Sequence, residues 1–249
     1  MKHDWITPEW PAPANVKALI TTRSGGVSVA PRDSLNLGYK AGDDPAAVTQ
    51  NRAIVQTVMP QAPRWLAQMH GTRVVTADDI PGTQEQPTAA DASVAHQRGT
   101  VCAVMIADCL PVLFTNQAGT RVAAAHAGWR GLSGGVIDNT VQAMREAGDD
   151  PADLLAYIGP GIGPGAFEVG ADVYDAFTAR DAAAAAAFKP HAPGKWLADL
   201  FTLARRALSR TGVTRVFGGG DCTYSDPSRF FSYRRDRDTG RMAAFIWRE

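Results

Sequence analysis

Val101-Cys-Ala-Val-Met-Ile106 and Pro111-Val-Leu-Phe-Thr115 are two apolar runs separated by Ala107-Asp-Cys-Leu110. A third run, Arg121–His126, follows closely. All three are short and rich in Val, Ile, Leu and Ala, as strands buried in a core are. Working outward, Lys17–Thr22, Arg64–His70 and Val74–Ala77 precede them, and Arg215–Phe217 and Ala243–Trp247 follow with the same character. Helical signals fall between these runs. Asp44-Pro45 reads as an N-cap and first helical residue, opening a helix to about Met59. A second helix is expected from about Ser133 to Ala147, stopped by Gly148. A third is expected from about Leu197 to Arg210, ending at Thr211-Gly212. The alanine run Ala182–Ala187 has high helix propensity and reads as the extension of a surface helix begun near Ala171, before Pro190, Pro193 and Gly194 break the chain. Strands and helices mix without strict alternation. The expectation is one α/β domain over residues 1–249, with mixed sheets flanked by helices.

Composition narrows the function. The chain has 249 residues, 45% of them hydrophobic, enough for a substantial core. Lys+Arg and Asp+Glu are both 25, so the formal net charge is zero and there is no electrostatic footprint for nucleic acid or a membrane surface. No apolar run approaches the ~20 residues of a membrane helix. The N-terminus, with Asp4, Glu9 and prolines at 8, 11 and 13, lacks the apolar middle of a signal peptide, so the cytoplasm is expected. Cys102, Cys109 and Cys222 are odd in number and follow no disulfide framework, which suits a reducing compartment. A small-molecule substrate and a monomer are the default expectations.

Three segments place reactive residues at the ends of apolar runs: Trp65-Leu-Ala-Gln-Met-His-Gly71, Val104-Met-Ile-Ala-Asp-Cys-Leu-Pro111 and Val122-Ala-Ala-Ala-His-Ala-Gly-Trp-Arg-Gly131. They deliver His70, Cys109 and His126, the imidazole and thiolate donors that zinc and copper take. Three protein ligands leave a fourth position for water or substrate, as catalytic zinc sites do. No Cys-x-x-Cys pair supports the assignment, so spacing alone leaves a metal site and ordinary packing both open. Cys102 reads as core, and His3, His96 and His191 as surface or satisfied residues. Asp108 precedes Cys109, and strand alternation puts Gln68 on the face of His70, where either orients ligands, meets substrate or makes ordinary loop hydrogen bonds.

With these residues in view, the chain resembles the YfiH-like family, also called the polyphenol oxidase or laccase-domain family, which includes purine nucleoside phosphorylases. The resemblance rests on Gln68-Met-His-Gly71, Ala107-Asp-Cys-Leu-Pro111, Ala125-His-Ala-Gly-Trp-Arg-Gly131 and Ile158-Gly-Pro-Gly-Ile-Gly-Pro164. Thr22-Arg-Ser-Gly-Gly-Val-Ser28, Ser34-Leu-Asn-Leu-Gly38, Cys222-Thr-Tyr224 and Phe230-Phe-Ser-Tyr-Arg-Arg235 match as well, so nearly the whole chain is covered in order. It implies an α/β sandwich of mixed sheets and a metal site at His70, Cys109 and His126. It implies phosphorolysis of adenosine, inosine, guanosine and methylthioadenosine to base and ribose 1-phosphate, and hydrolytic deamination of adenosine. Copper-dependent phenol oxidation and editing of peptidoglycan precursors are further activities attached to the family. The chain departs from the family pattern in having Gly161 where Cys is frequent and Phe167 where Tyr is frequent.

Zinc is the expected cofactor, with copper the alternative. Zinc supplies a Lewis acid or an activated water, and zinc deaminases act at C6 of a purine in that way. Phosphate needs cationic or N–H donors, and Arg23 and Arg130 are the candidates, each with a surface ion pair as its alternative role. Asp108 is the candidate acid or base near the leaving purine. Gly159–Gly165 either lets backbone approach the ligand or is a plain tight loop. Tyr224, Phe230, Phe231 and Tyr233 offer a stacking wall for a base, with core packing favoured for Phe230 or Phe231. The run Arg234, Arg235, Arg237 with Asp236 and Asp238 reads as a solvated turn. Five histidines in all argue against a multicopper oxidase, and a metal-free thiol hydrolase with Cys109 as nucleophile is a third reading.

Overall fold

The computed structural model describes residues 3–82 and 87–249. In chain order the chain forms β1 (Val16–Ile20), α1 (Pro45–Gln56), β2 (Leu66–Ala67), β3 (Val74–Thr76), β4 (Thr88–Ala89), β5 (Ala92–Ala95) and β6 (Cys102–Ile106). It continues through β7 (Leu110–Asn116), β8 (Val122–Ala127), α2 (Trp129–Gly134), α3 (Val136–Glu146), β9 (Leu154–Ile158), β10 (Glu168–Val169) and α4 (Ala171–Thr178). The remainder is β11 (Phe188–Ala192), β12 (Lys195–Ala198), α5 (Leu200–Arg210), β13 (Arg215–Gly218), α6 (Tyr233–Asp236) and β14 (Met242–Arg248).

Two sheets carry the fold. One is six-stranded and mixed, in the order β13-β9-β7-β8-β5-β3, with β13/β9 and β5/β3 parallel and the other neighbours antiparallel. The other is three-stranded and antiparallel, in the order β1-β14-β6. The expected mixed α/β architecture is therefore present. Strand pleating explains the layering. Along β7, Val112 and Phe114 join a core shared with α3, α4 and α5, while Leu113 between them points to the opposite face. That opposite face meets Val104 of β6 and Ala244 and Ile246 of β14. The outer face of the three-stranded sheet, with Ala103, Phe245 and Trp247, is covered by Leu35, Leu37, Val55 of α1 and Trp65. Both faces of the central strands are thus buried, which is why they read as unbroken apolar runs.

Several boundaries differ from the sequence reading. Arg64–His70 is not one strand: only Leu66–Ala67 is regular, Arg64 makes an isolated bridge to Cys102, and His70 sits in a turn at φ +58°. The helix expected over Ser133–Ala147 is split, because Gly135 at φ +106° closes α2 and opens α3. Ala182–Ala187 is a separate 3₁₀ segment capped by Asp181 rather than an extension of α4, since Asp181 accepts from the Ala183 amide and ends the preceding turn. The helix expected from Leu197 begins at Leu200, as Lys195–Ala198 pairs with β11 and Asp199 caps the helix.

Because β7 lies at the centre of the larger sheet and Phe114 is fully buried, Phe114→Ala is expected to cost about 3–5 kcal/mol in urea unfolding, with an unchanged slope.

Candidate metal centre

The topology brings one end of many strands to one rim. β7 begins there, β8, β9 and β13 end there, and β3 and β5 begin there. The chain also crosses between the two sheets at this rim, from β6 to β7 through Ala107-Asp108-Cys109, with Asp108 at φ +96°. His126 is the next-to-last residue of β8 and lies opposite Pro111. His70 arrives from the turn between β2 and β3. One ligand atom from each of His70, Cys109 and His126 lies within 4.8 Å of the others.

A carboxylate that the sequence reading passed over organises this cluster. Asp91, 1% exposed, accepts hydrogen bonds from the amides of Met69 (3.1 Å), His70 (2.9 Å) and Gly71 (2.8 Å). The same carboxylate pairs with Nδ1 of His126 at 2.9 Å, and the His126 amide donates to the Asp91 carbonyl at 2.7 Å. With Nδ1 engaged, Nε2 of His126 is left for the cluster, the arrangement by which a carboxylate orients a metal-binding imidazole. The His70 and His126 rings meet edge-on, centroids 4.9 Å apart. Burial would raise the Asp91 pKa, but the bond to His126 and those from Gly71 and Met69 outweigh it and hold the carboxyl below its ordinary range. The available signal was a lone Asp between Ala90 and Ala92 at the head of a run of small buried residues.

Charge in the cluster is correlated. Burial alone would raise the Cys109 thiol, but the adjacent His126 and hydrogen bonds from both imidazoles reverse this and favour thiolate. Burial would push His126 down, and Cys109 and Asp91 raise it instead. Two imidazoles and a thiol poised for ionisation are a donor set suited to zinc or copper. Gly128 preserves the space, since a Cβ there would stand 2.7 Å from Cys109 Sγ and 3.1 Å from His70 Cδ2. Cys102, by contrast, is fully buried and pushed up to about 12 by burial, the core residue expected.

The other sequence candidates divide. Asp108 stays at the site: Oδ1 accepts from Thr223 Oγ1 at 2.6 Å and Oδ2 from the Arg234 amide at 2.6 Å. It thereby fixes two C-terminal segments beside Cys109, and brings Tyr224, 37% exposed, to the rim. Gln68 is paired at both ends of its carboxamide with the Met105 backbone, so it ties the β2 turn to β6, and the strand alternation that linked it to His70 does not extend past Ala67. Arg23 bonds Asp33 through its carbonyl and carboxylate and also the Pro227 carbonyl. Arg130 is exposed and lies over the Trp129 ring at 4.4 Å, with no hydrogen-bonded partner for its guanidinium among the described residues. Phe230 and Phe231 are fully buried. The arginine run is not simply a solvated turn: Arg235 donates to the carbonyls of Thr223, Tyr224 and Phe230, locking the segments that Asp108 holds. Gly161 has a steric reason in this packing, since a Cβ there would lie 2.3 Å from Leu110 Cδ2.

A mixed α/β fold with a His-Cys-His centre at the rim of its sheets defines the class. The chain belongs to the family described as multi-copper polyphenol oxidoreductase laccase, whose model matches residues 17–249. It is 53% identical over 244 residues to a purine nucleoside phosphorylase of Pseudomonas aeruginosa, covering 98% of each chain. It is equally 53% identical to purine nucleoside phosphorylase YfiH of Escherichia coli, covering 97% of this chain and 98% of that one. Among solved structures, a Neisseria meningitidis protein superposes with a TM-score of 0.95 at 53% identity, covering 99% of both chains.

Two measurements test this construction. Asp91→Asn is expected to weaken metal binding about 10–100-fold in a chelator competition and to cost about 2–3 kcal/mol in urea. Because Asp91 is depressed in the folded state, its contribution is present at neutral pH and lost as pH falls through the carboxylate range, so wild type and variant should converge in acid. In metal-stripped protein, iodoacetamide should label Cys109 with a pH midpoint below the ordinary thiol value of about 8.5, while Cys102 stays unlabelled. A Cys109 midpoint at or above that value contradicts the charge pairing.

Proposed function

We propose that the protein is a zinc-dependent purine nucleoside phosphorylase that also deaminates adenosine. The observation that carries this reading is the convergence of His70, Cys109 and His126 at a rim bordered by Asp108 and Tyr224, in a chain 53% identical to two relatives named purine nucleoside phosphorylase. The substrates are adenosine, inosine, guanosine and methylthioadenosine together with inorganic phosphate.

His70, His126 and the Cys109 sulfur would hold the zinc, which would supply a Lewis acid at the site. The chain's own residues do the rest. Asp91 keeps the His126 ring in one tautomer and the His70 turn in one place. Tyr224 offers a ring face to the purine, and Arg130 an exposed guanidinium to an anion. In phosphorolysis a phosphate oxygen bonds to C1′ as the C1′–N9 bond breaks, and the electron pair and a proton end on the base. In deamination water adds at C6 and ammonia leaves. Asp108, accepting from two donors, keeps further lone pairs to take the proton of that water and return it to the departing nitrogen.

Copper phenol oxidation is favoured by the description of the matching family. The remaining histidines do not form a second cluster: His3 stacks on Trp5, His96 accepts from Arg121, and His191 faces Glu168. A multicopper site needs more imidazole than this chain brings together.

Zinc-loaded protein given adenosine and phosphate is expected to release adenine and ribose 1-phosphate, and inosine when phosphate is omitted. Chelation or Cys109→Ala should reduce both rates about a hundredfold or more. Equal rates in Cys109→Ala and wild type would remove the active-site assignment, and activity retained without metal would favour a thiol hydrolase.

A further inference from the structure

Arg241 stands immediately before β14, whose first residue, Met242, pairs with Ile106 at the end of β6. The antiparallel register therefore sets Arg241 beside the Ala107-Asp108-Cys109 crossing. Its backbone is pinned by the Asn36 side chain, which accepts from the Arg241 amide at 2.8 Å. Its stem runs over Gly38, where a Cβ would lie 2.8 Å from Arg241 Cγ, so a side chain at 38 would displace the arginine. Nη1 donates to the carbonyls of Thr239 and Gly240, both at 2.9 Å, and the guanidinium lies 5.8 Å from the Tyr233 ring centroid. Among the described residues, no carboxylate pairs with it in a salt bridge, unlike Arg23, Arg32, Arg229 and Arg235. A half-buried guanidinium, held by its stem and by Nη1, with no hydrogen bond from Nε or Nη2 among the described residues, and carried by a strand end that register sets beside the 107–109 crossing, is suited to receive an anion.

We propose that Arg241 binds the phosphate co-substrate, clamping it in bidentate fashion beside the metal centre. The inference rests on the phosphorylase reading and adds to it the residue that selects phosphate over water. Tyr233, 49% exposed and packed against Arg241, borders the same space, so the anion and the ribose it attacks would be held between the Asp108-anchored segments. Phosphate bound there would give the guanidinium the direct charge-assisted hydrogen bonds that no carboxylate supplies among the described residues.

The test is the dependence of ribose 1-phosphate formation on inorganic phosphate in zinc-loaded wild type, Arg241→Gln and Arg241→Lys. Arg241→Gln should raise KM for phosphate about tenfold or more, with KM for adenosine within about twofold and zinc content unchanged. Arg241→Lys, which keeps the charge but not the fork, should fall between. A phosphate KM within about twofold of wild type in the glutamine variant overturns the proposal. Should Arg241→Gln fail to fold, an unchanged phosphate KM in Arg241→Lys overturns it equally. If wild type forms no ribose 1-phosphate, the phosphorylase reading fails. Calorimetric titration with inorganic phosphate then separates the two claims: binding by wild type but not by Arg241→Gln keeps the anion site, and equal or absent binding removes it.

Discussion

The carboxylate of Asp91 meets three consecutive backbone amides on one side and an imidazole nitrogen on the other. Buried as it is, this charge persists only because those donors surround it. The consequence spreads outward. The amides hold the turn that carries His70 at a left-handed φ uncommon for a residue with a side chain. The imidazole it orients belongs to β8, next to the central strand of the larger sheet. Two of the three candidate ligands, His70 and His126, are thus positioned by one side chain just ahead of β5, and the third, Cys109, lies in the crossing between sheets.

Asp108 plays the corresponding part on the opposite side. It sits where the chain leaves the smaller sheet for the larger, and its two oxygens anchor Thr223 and Arg234. Arg235 closes the same region through three carbonyls. The C-terminal segments that border the centre are therefore attached by polar contacts to a buried carboxylate rather than by apolar packing alone. Contacts of this kind are directional, so they hold the aromatic and cationic side chains of these segments at set positions.

The central strands were legible because they are buried on both faces and so spell continuous apolar runs; β6, β7, β8 and β14 follow from that alone. β9 was missed although Leu154–Ile158 is apolar, since a short run of Leu and Ala suits helix or strand equally. β5 was missed because Ala92–Ala95 is built of small residues with weak strand preference, and is a strand only through its neighbours β3 and β8. β11 and β12 were hidden by Pro190 and Gly194, which read as breakers but here sit in and beside a hairpin with a register shift. At the candidate centre, His70, Cys109 and His126 showed in the motifs, whereas Asp91 and the proposed anion-binding Arg241 did not. Each acts through tertiary register, and neither belongs to a recognisable local pattern.

The crossing of the chain between sheets has a mechanical meaning. Cys109 and His126 stand at the two ends of the β7–β8 hairpin, but His70 is separated from Cys109 by strands of both sheets, so an ion bound to all three would close that longer loop as well. Such an ion is a reversible cross-link, and its stabilising effect grows with the chain freedom it removes from the unfolded ensemble. The two layers of the core would then be riveted at their common edge, with the chemistry seated on the rivet.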